Sequence, residues 1–98
     1  MRSPSLEGAV VQRLDDLRRR PLTDLLALPA LIEEVLEVDG RIGKLFIYHE
    51  TVEGKHRVVL QATRERWGGL FARVVARGFE IDGENLRTLT TEELYDFT

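Results

Sequence analysis

The chain has 98 residues, 43% of them hydrophobic and 32% charged, with a net charge of -3 and no cysteine. This composition excludes disordered, collagen-like and disulfide-stapled classes, and it also excludes thiol catalysis and thiolate metal sites. No apolar run is long enough to cross a bilayer or to serve as a signal segment, so we expect a cytoplasmic protein without membrane contact.

The charge is unevenly placed along the chain. Residues 1–40 carry a net charge of -3, residues 41–77 carry +5 and residues 78–98 carry -5. Because no linker or repeat separates these segments, we predict one α+β domain over residues 1–98, with residues 1–5 flexible. Arginine outnumbers lysine by 12 to 2 and heat-labile side chains are scarce, which is typical of a bacterial thermophile.

Helical spacing dominates the first part of the chain. Ser5 is a predicted N-cap, and a first helix should run to Arg20, before Pro21. A short helical turn is expected over Pro21–Leu28 and a second full helix over Pro29–Val38, with proline at its first position. The apolar face of the first helix consists of Leu6, Val10, Leu14 and Leu17.

The hydrophobic period changes from 3.6 to 2 at Lys44. The alternation from there to Ala62 predicts an antiparallel β-hairpin whose two-residue turn is Glu53-Gly54. In that register Glu50 faces Arg57 and an apolar row lies on one side.

A third amphipathic helix is predicted from its N-cap, Thr63, to a C-cap at Gly78, with its apolar face formed by Trp67, Leu70, Phe71, Val74 and Val75. A short third strand at 79–81, a fourth at 86–89 and a short terminal helix after the capping-box pair Thr90 and Glu93 complete the chain. The predicted fold class is α+β with the order ααββαβ(β)α.

Arginines of the basic middle segment form the first candidate site. Arg66, Arg73 and Arg77 have the spacing of one stripe on the predicted third helix. Such a stripe could bind phosphates or nucleic acid, whereas an ordinary solvated face would pair with the acidic C-terminal segment. The full candidate set for anion or nucleic-acid binding is Arg57, Arg64, Arg66, Arg73 and Arg77.

A second candidate is the tripeptide Trp67-Gly68-Gly69, where glycines permit close backbone approach and the indole offers a stacking surface for a small ligand. Core packing of Trp67 is the alternative explanation. His49 and His56 lie diagonally on one hairpin face in the predicted register, but two histidines alone make a weak metal site. We therefore expect surface histidines and no bound metal.

Catalytic motifs are missing from the sequence, which contains no nucleophile elbow, zinc-protease helix, phosphate loop or dinucleotide fingerprint. We expect no cofactor and favour a non-enzymatic protein. Nine of the fifteen leucines fall in residues 1–40 and offer more apolar surface than a small sheet can cover. The leading hypothesis is therefore a self-associating protein-interaction module, a homodimer joined through the leucine faces or the hairpin edge, with a further protein partner as an option.

Overall fold

The structure, a computed structural model, describes residues 5–38, 40–66 and 71–98. Two helices precede a five-stranded antiparallel meander with the strand order β1-β2-β3-β4-β5. The elements are α1 (Leu6–Arg18), α2 (Leu22–Leu26), β1 (Leu31–Val38), β2 (Arg41–Val52), β3 (Lys55–Arg66), β4 (Phe71–Asp82), β5 (Asn85–Thr88) and a closing 3-10 helix (Tyr95–Phe97).

The predicted order ααββαβ(β)α is therefore wrong, because a single sheet with two helices replaces a fold with three or four helices. The segment Pro29–Val38, predicted as a helix, contains the edge strand β1. Its apolar residues fit a helical spacing, but they fit alternation as well. Burial follows the alternation, and Val38 pairs with Arg41 across a turn in which Gly40 has a φ of 74°.

The predicted third helix is also wrong. Residues from Thr63 onward continue β3, and the residues up to Gly78 belong to β4, with Thr63 paired to Val74 and Arg64 to Arg73. Two glycines inside that segment are unfavourable in a helix, and Phe71, Val74 and Val75 are good strand formers. The predicted third strand, 79–81, is the end of β4, and the predicted fourth strand is β5.

The central hairpin is confirmed residue by residue. Glu50 pairs with Arg57 and Ile47 with Leu60. Glu53 and Gly54 both have positive φ, 52° and 78°, which matches the right-handed twist of a two-residue hairpin turn. The strands extend further than the alternation indicated, since β2 begins at Arg41 and β3 reaches Arg66.

The first helix and the main core also agree with the sequence. The Ser5 side chain accepts a hydrogen bond from the Gly8 backbone at 3.0 Å, and the four spaced apolar residues of α1 are buried. These side chains, with Leu25 of α2, pack on one face of the sheet, which we call the helix face. Its buried residues are Val38, Leu45, Ile47, Val58, Leu60, Ala62, Val75, Phe79 and Ile81.

A smaller core lies on the opposite face, which we call the tail face. The chain after β5 folds back across it, so Leu89 and Leu94 pack on Val59 and Ala76. Gly78 permits this close approach because it has no side chain. The Leu89 backbone nitrogen donates to the Gly78 carbonyl at 3.0 Å. A Cβ at Gly78 would lie 2.5 Å from the Val58 carbonyl oxygen and 3.0 Å from Leu89 Cδ1.

We expect Gly78→Ala to lower the free energy of unfolding by about 1–3 kcal/mol, because the added methyl group meets backbone that must shift. Denaturant titration followed by tryptophan fluorescence or circular dichroism measures this loss. A change smaller than about 0.5 kcal/mol, the range of neutral surface substitutions, would contradict the packing described for this strand pair.

Candidate interaction surface

The C-terminal segment, residues 89–98, covers only part of the tail face. Phe97 packs on Tyr48 with ring centroids 5.3 Å apart, and the Gln61 side-chain amide donates to the Phe97 carbonyl. Beyond these contacts, towards the start of β2, the tail face has no cover within the described residues. The uncovered part, called here the open patch, consists of Leu31, Val35, Ile42 and Phe46.

The open patch is apolar and accessible. Leu31, Val35 and Ile42 are 51%, 72% and 75% exposed. They share a face because Leu31 pairs with Tyr48 of β2, and Ile42 lies an even number of positions before Tyr48 on that strand. Residues an even number of positions apart on a strand point to the same side of the sheet. Large aliphatic side chains this exposed and this close together on a sheet are a typical mark of an interaction surface.

Charged residues of both signs alternate with the apolar ones. On the tail face of β1, Glu33 separates Leu31 from Val35 and Glu37 follows Val35, and Glu33 forms an ion pair with Lys44 of β2 at 3.2 Å. This pair is more than half exposed and therefore contributes little stability. Its contribution to the patch is a mixed charge pattern beside the aliphatic groups.

A shallow cleft of about 160 Å³ adjoins the open patch, lined by Ile42, Gly43, Lys44 and Thr63. It opens where β2 and β3 separate, since Lys44 and Thr63 form the last pair between these strands. Gly43 is required at this fork, because a Cβ there would lie 2.6 Å from the Thr63 carbonyl oxygen. The cleft has room for one aliphatic side chain of a binding partner.

An ion-pair network anchors the C-terminal segment to the sheet. Glu80 of β4, only 4% exposed, accepts from Arg57 at 2.9 Å and from Arg87 at 3.1 Å. Both arginines also bind Glu93, at 3.2 Å and 2.7 Å. Glu93 and Thr90 form the predicted capping box, with reciprocal hydrogen bonds of 3.0 and 3.2 Å, although a turn and a 3-10 helix follow instead of an α-helix.

The network shifts the ionisation of its members. The hydrogen bond from Arg57 lowers the pKa of Glu80, against a smaller opposing effect of burial. The hydrogen bond from Arg87, with support from the Thr90 backbone, lowers the pKa of Glu93 well below its usual range. Glu93 in turn raises the pKa of Arg87. Glu80, Arg87 and Glu93 therefore remain charged across the neutral range.

The helix on which the predicted arginine stripe relied is replaced by strands, since residues 63–66 belong to β3 and residues 71–78 to β4. Arg57 belongs to the anchoring network, and Arg77 is bound to Glu7 of α1. Arg64 lies half-buried on the helix face of β3. The side chains of Arg66 and Arg73 lie outside the described part of the structure.

The predicted ligand site Trp67-Gly68-Gly69 also lies outside the described residues. The two histidines, by contrast, are in direct contact: His49 Nε2 and His56 Nδ1 are 2.9 Å apart, and His49 Nδ1 is 2.7 Å from the Leu28 carbonyl oxygen. Within the described ranges, no group of three or more metal-ligating side chains occurs.

The open patch was not predicted from the sequence, because residues 29–38 were predicted to form a helix. The spaced leucines of α1, predicted as an interface, are enclosed by the sheet of the same chain. One signal in the sequence did point to the patch, namely the alternation Leu31, Glu33, Val35, Glu37, which gives a strand a mixed apolar and acidic face.

None of the helices in the described ranges has the length and apolar character needed to cross a membrane. Comparisons of the chain with protein-family models, with curated proteins and with solved structures gave no match.

We expect Glu93→Gln to lower the melting temperature at pH 7, because it removes a carboxylate bound by two arginines. Since the pKa of Glu93 is lowered in the folded state, this stabilisation is complete above the ordinary carboxyl value of about 4.3 and is lost as the pH falls through the lowered value. The melting temperatures of the variant and the parent protein should therefore converge in acid.

The matched control is Glu92→Gln, which removes the same charge from an exposed neighbouring position. Thermal unfolding at several pH values compares the three proteins. Equal melting temperatures for the two variants at pH 7 would show that the network does not anchor the C-terminal segment.

Proposed function

We propose that this chain is a non-enzymatic protein-interaction module that self-associates, with the open patch of one copy packed face to face against that of a second copy. The observation that carries this proposal is the exposure of Leu31, Val35 and Ile42 on one face of two adjacent strands. Burying them in a dimer removes apolar surface from water at about 25 cal/mol per Å².

The free edge of β1 is a poorer contact for a second copy. In an antiparallel pairing of two β1 strands, residues that face each other must lie on the same side of the sheet. The two registers with the greatest overlap then place Glu34 opposite Glu34, or Glu33 opposite Glu37, of the other copy. Like charges directly opposite each other are unfavourable, and acidic edges are a common protection against strand addition.

The face of the sheet, in contrast, is compatible with itself. Glu37 and Lys44 lie on the same face, Glu37 opposite Ile42 and Lys44 between Ile42 and Phe46, so a two-fold axis through the patch can place a glutamate of one copy near the lysine of the other. The cleft at Gly43 can receive one aliphatic side chain across the axis.

The size of the patch limits its affinity. A stable dimer usually buries about 800 Å² on each partner, and four side chains supply less than that. We therefore expect a weak dimer whose population rises as the protein is concentrated from about 10 to about 500 µM.

We expect Ile42→Thr and Val35→Glu to abolish this concentration dependence, measured by sedimentation equilibrium. Threonine keeps the β-branched shape that strands prefer, so Ile42→Thr tests the apolar contact without weakening β2. Val11→Glu is the control, because Val11 is also exposed, at 41%, but lies on α1.

The control should associate like the parent protein, and both patch variants should remain monomeric at every concentration. Circular dichroism at the highest concentration establishes that each variant is folded. A parent protein that is monomeric throughout, or patch variants that associate as it does, would overturn the proposal.

A further inference from the structure

His49 and His56 form a hydrogen-bonded chain that starts at the backbone. His49 Nδ1 lies 2.7 Å from the Leu28 carbonyl oxygen, and His49 Nε2 lies 2.9 Å from His56 Nδ1. The ring centroids are 5.1 Å apart. With the nitrogens 2.9 Å apart, the rings meet nearly end to end, as a hydrogen bond between them requires.

We propose that these two histidines act as one proton-sharing unit, which holds one added proton on the inner ring, His49, and is broken by a second. The unit is a pH-sensitive clasp between β2 and β3, and its inner ring, His49, is also bound to the segment that leads from α2 into β1. It is independent of the proposed self-association.

The hydrogen-bond partners fix the neutral state of the pair. A carbonyl oxygen only accepts, so His49 must carry its hydrogen on Nδ1 and leave Nε2 as an acceptor. His56 must then donate from its own Nδ1. Both neutral rings are therefore Nδ1–H tautomers, whereas free histidine in water prefers the Nε2–H form.

One added proton is accommodated by a shift along the chain. A proton that arrives at the Nε2 of His56 allows the Nδ1 hydrogen of that ring to move onto His49. His49 then donates at both nitrogens, to the Leu28 carbonyl and to His56, and both of these hydrogen bonds are charge-assisted. The positive charge thus resides on the inner ring.

A second proton cannot be accommodated in this geometry. With both rings charged, the facing nitrogens each carry a hydrogen, so the hydrogen bond is lost and two cations face each other at 2.9 Å. His56 must then turn away from His49. The contact of His49 with Leu28 survives, so the clasp opens at its outer end.

No charged side chain lies directly beside the pair on its face of the sheet. The strand neighbours of the pair on the helix face are uncharged, namely Ile47, Thr51, Val58 and Ile81. No ion pair among the described residues includes either histidine. The ionisable residues of the packed elements and turns are Asp24, Glu50, Glu53, Lys55, Arg57, Asp82 and Glu84.

The clasp holds the entry to the edge strand. The backbone nitrogen of His49 donates to the Ala30 carbonyl at 3.0 Å, while its side chain binds the Leu28 carbonyl. Residue 49 therefore fixes the backbone on both sides of Pro29. Leu31, the first residue of β1, follows directly.

The first test is nitrogen-15 NMR of the imidazole rings at about pH 8 and through an acid titration. We expect Nδ1–H tautomers for both rings at the start, and an early change of His56 to the Nε2–H form while the charge appears on His49. In His49→Asn, whose side chain can still donate to Leu28, His56 should return to the Nε2–H tautomer. A His56 ring that is Nε2–H in the neutral parent protein would overturn the proposal.

The second test is thermal unfolding at about pH 7.5 and pH 5.0. His56→Asn retains a donor near the position of Nδ1 but cannot take up a proton. The parent protein should lose about 4 °C more than this variant on acidification, as expected for one lost hydrogen bond in a domain of this size. The lowered pKa values of Glu80 and Glu93 keep their titration below this range. Equal losses in the two proteins would show two independent surface histidines and overturn the proposal.

Discussion

The structure depends on one constraint: a five-stranded sheet has two faces, and the described part of the chain covers them unequally. Helix α1 covers the helix face with four apolar side chains at helical spacing. Among the described residues, the tail face is covered by the short segment after β5, which packs on Val59, Ala76 and Tyr48 and leaves β1 uncovered. The aliphatic groups of β1 and β2 are left in contact with water, and the proposed self-association follows from that.

Electrostatics compensates for the small apolar area under the C-terminal segment. Leu89 and Leu94 pack against few buried residues. Their position therefore depends on the four charged side chains that connect β3, β4, β5 and the capping turn. A buried glutamate bound by two arginines is favourable only while every member is present. In this network Arg57, from the basic middle segment, binds Glu80 and Glu93 of the acidic C-terminal segment across the sheet.

The sequence was informative wherever local signals were unambiguous. The N-cap at Ser5, the α1 stripe, the turn at Glu53-Gly54 and the register that follows from it could all be predicted from spacing and turn chemistry. Residues 29–38 could not, because leucine, isoleucine and glutamate in that order satisfy both the helical and the strand period. Backbone pairing with β2 makes this segment a strand. That pairing is a non-local interaction, which the periodicity of the segment does not encode. The open patch was hidden by the same ambiguity, and the end-to-end contact of the histidines required side-chain geometry.

The central claim is that the open patch is the contact between copies, and dilution NMR tests it most directly. Backbone amide spectra recorded from high to low protein concentration should show shifts confined to β1 and the first half of β2, around Val35 and Ile42, while α1 and β5 remain unchanged. Spectra that do not vary with concentration, or shifts centred on α1, would contradict the account.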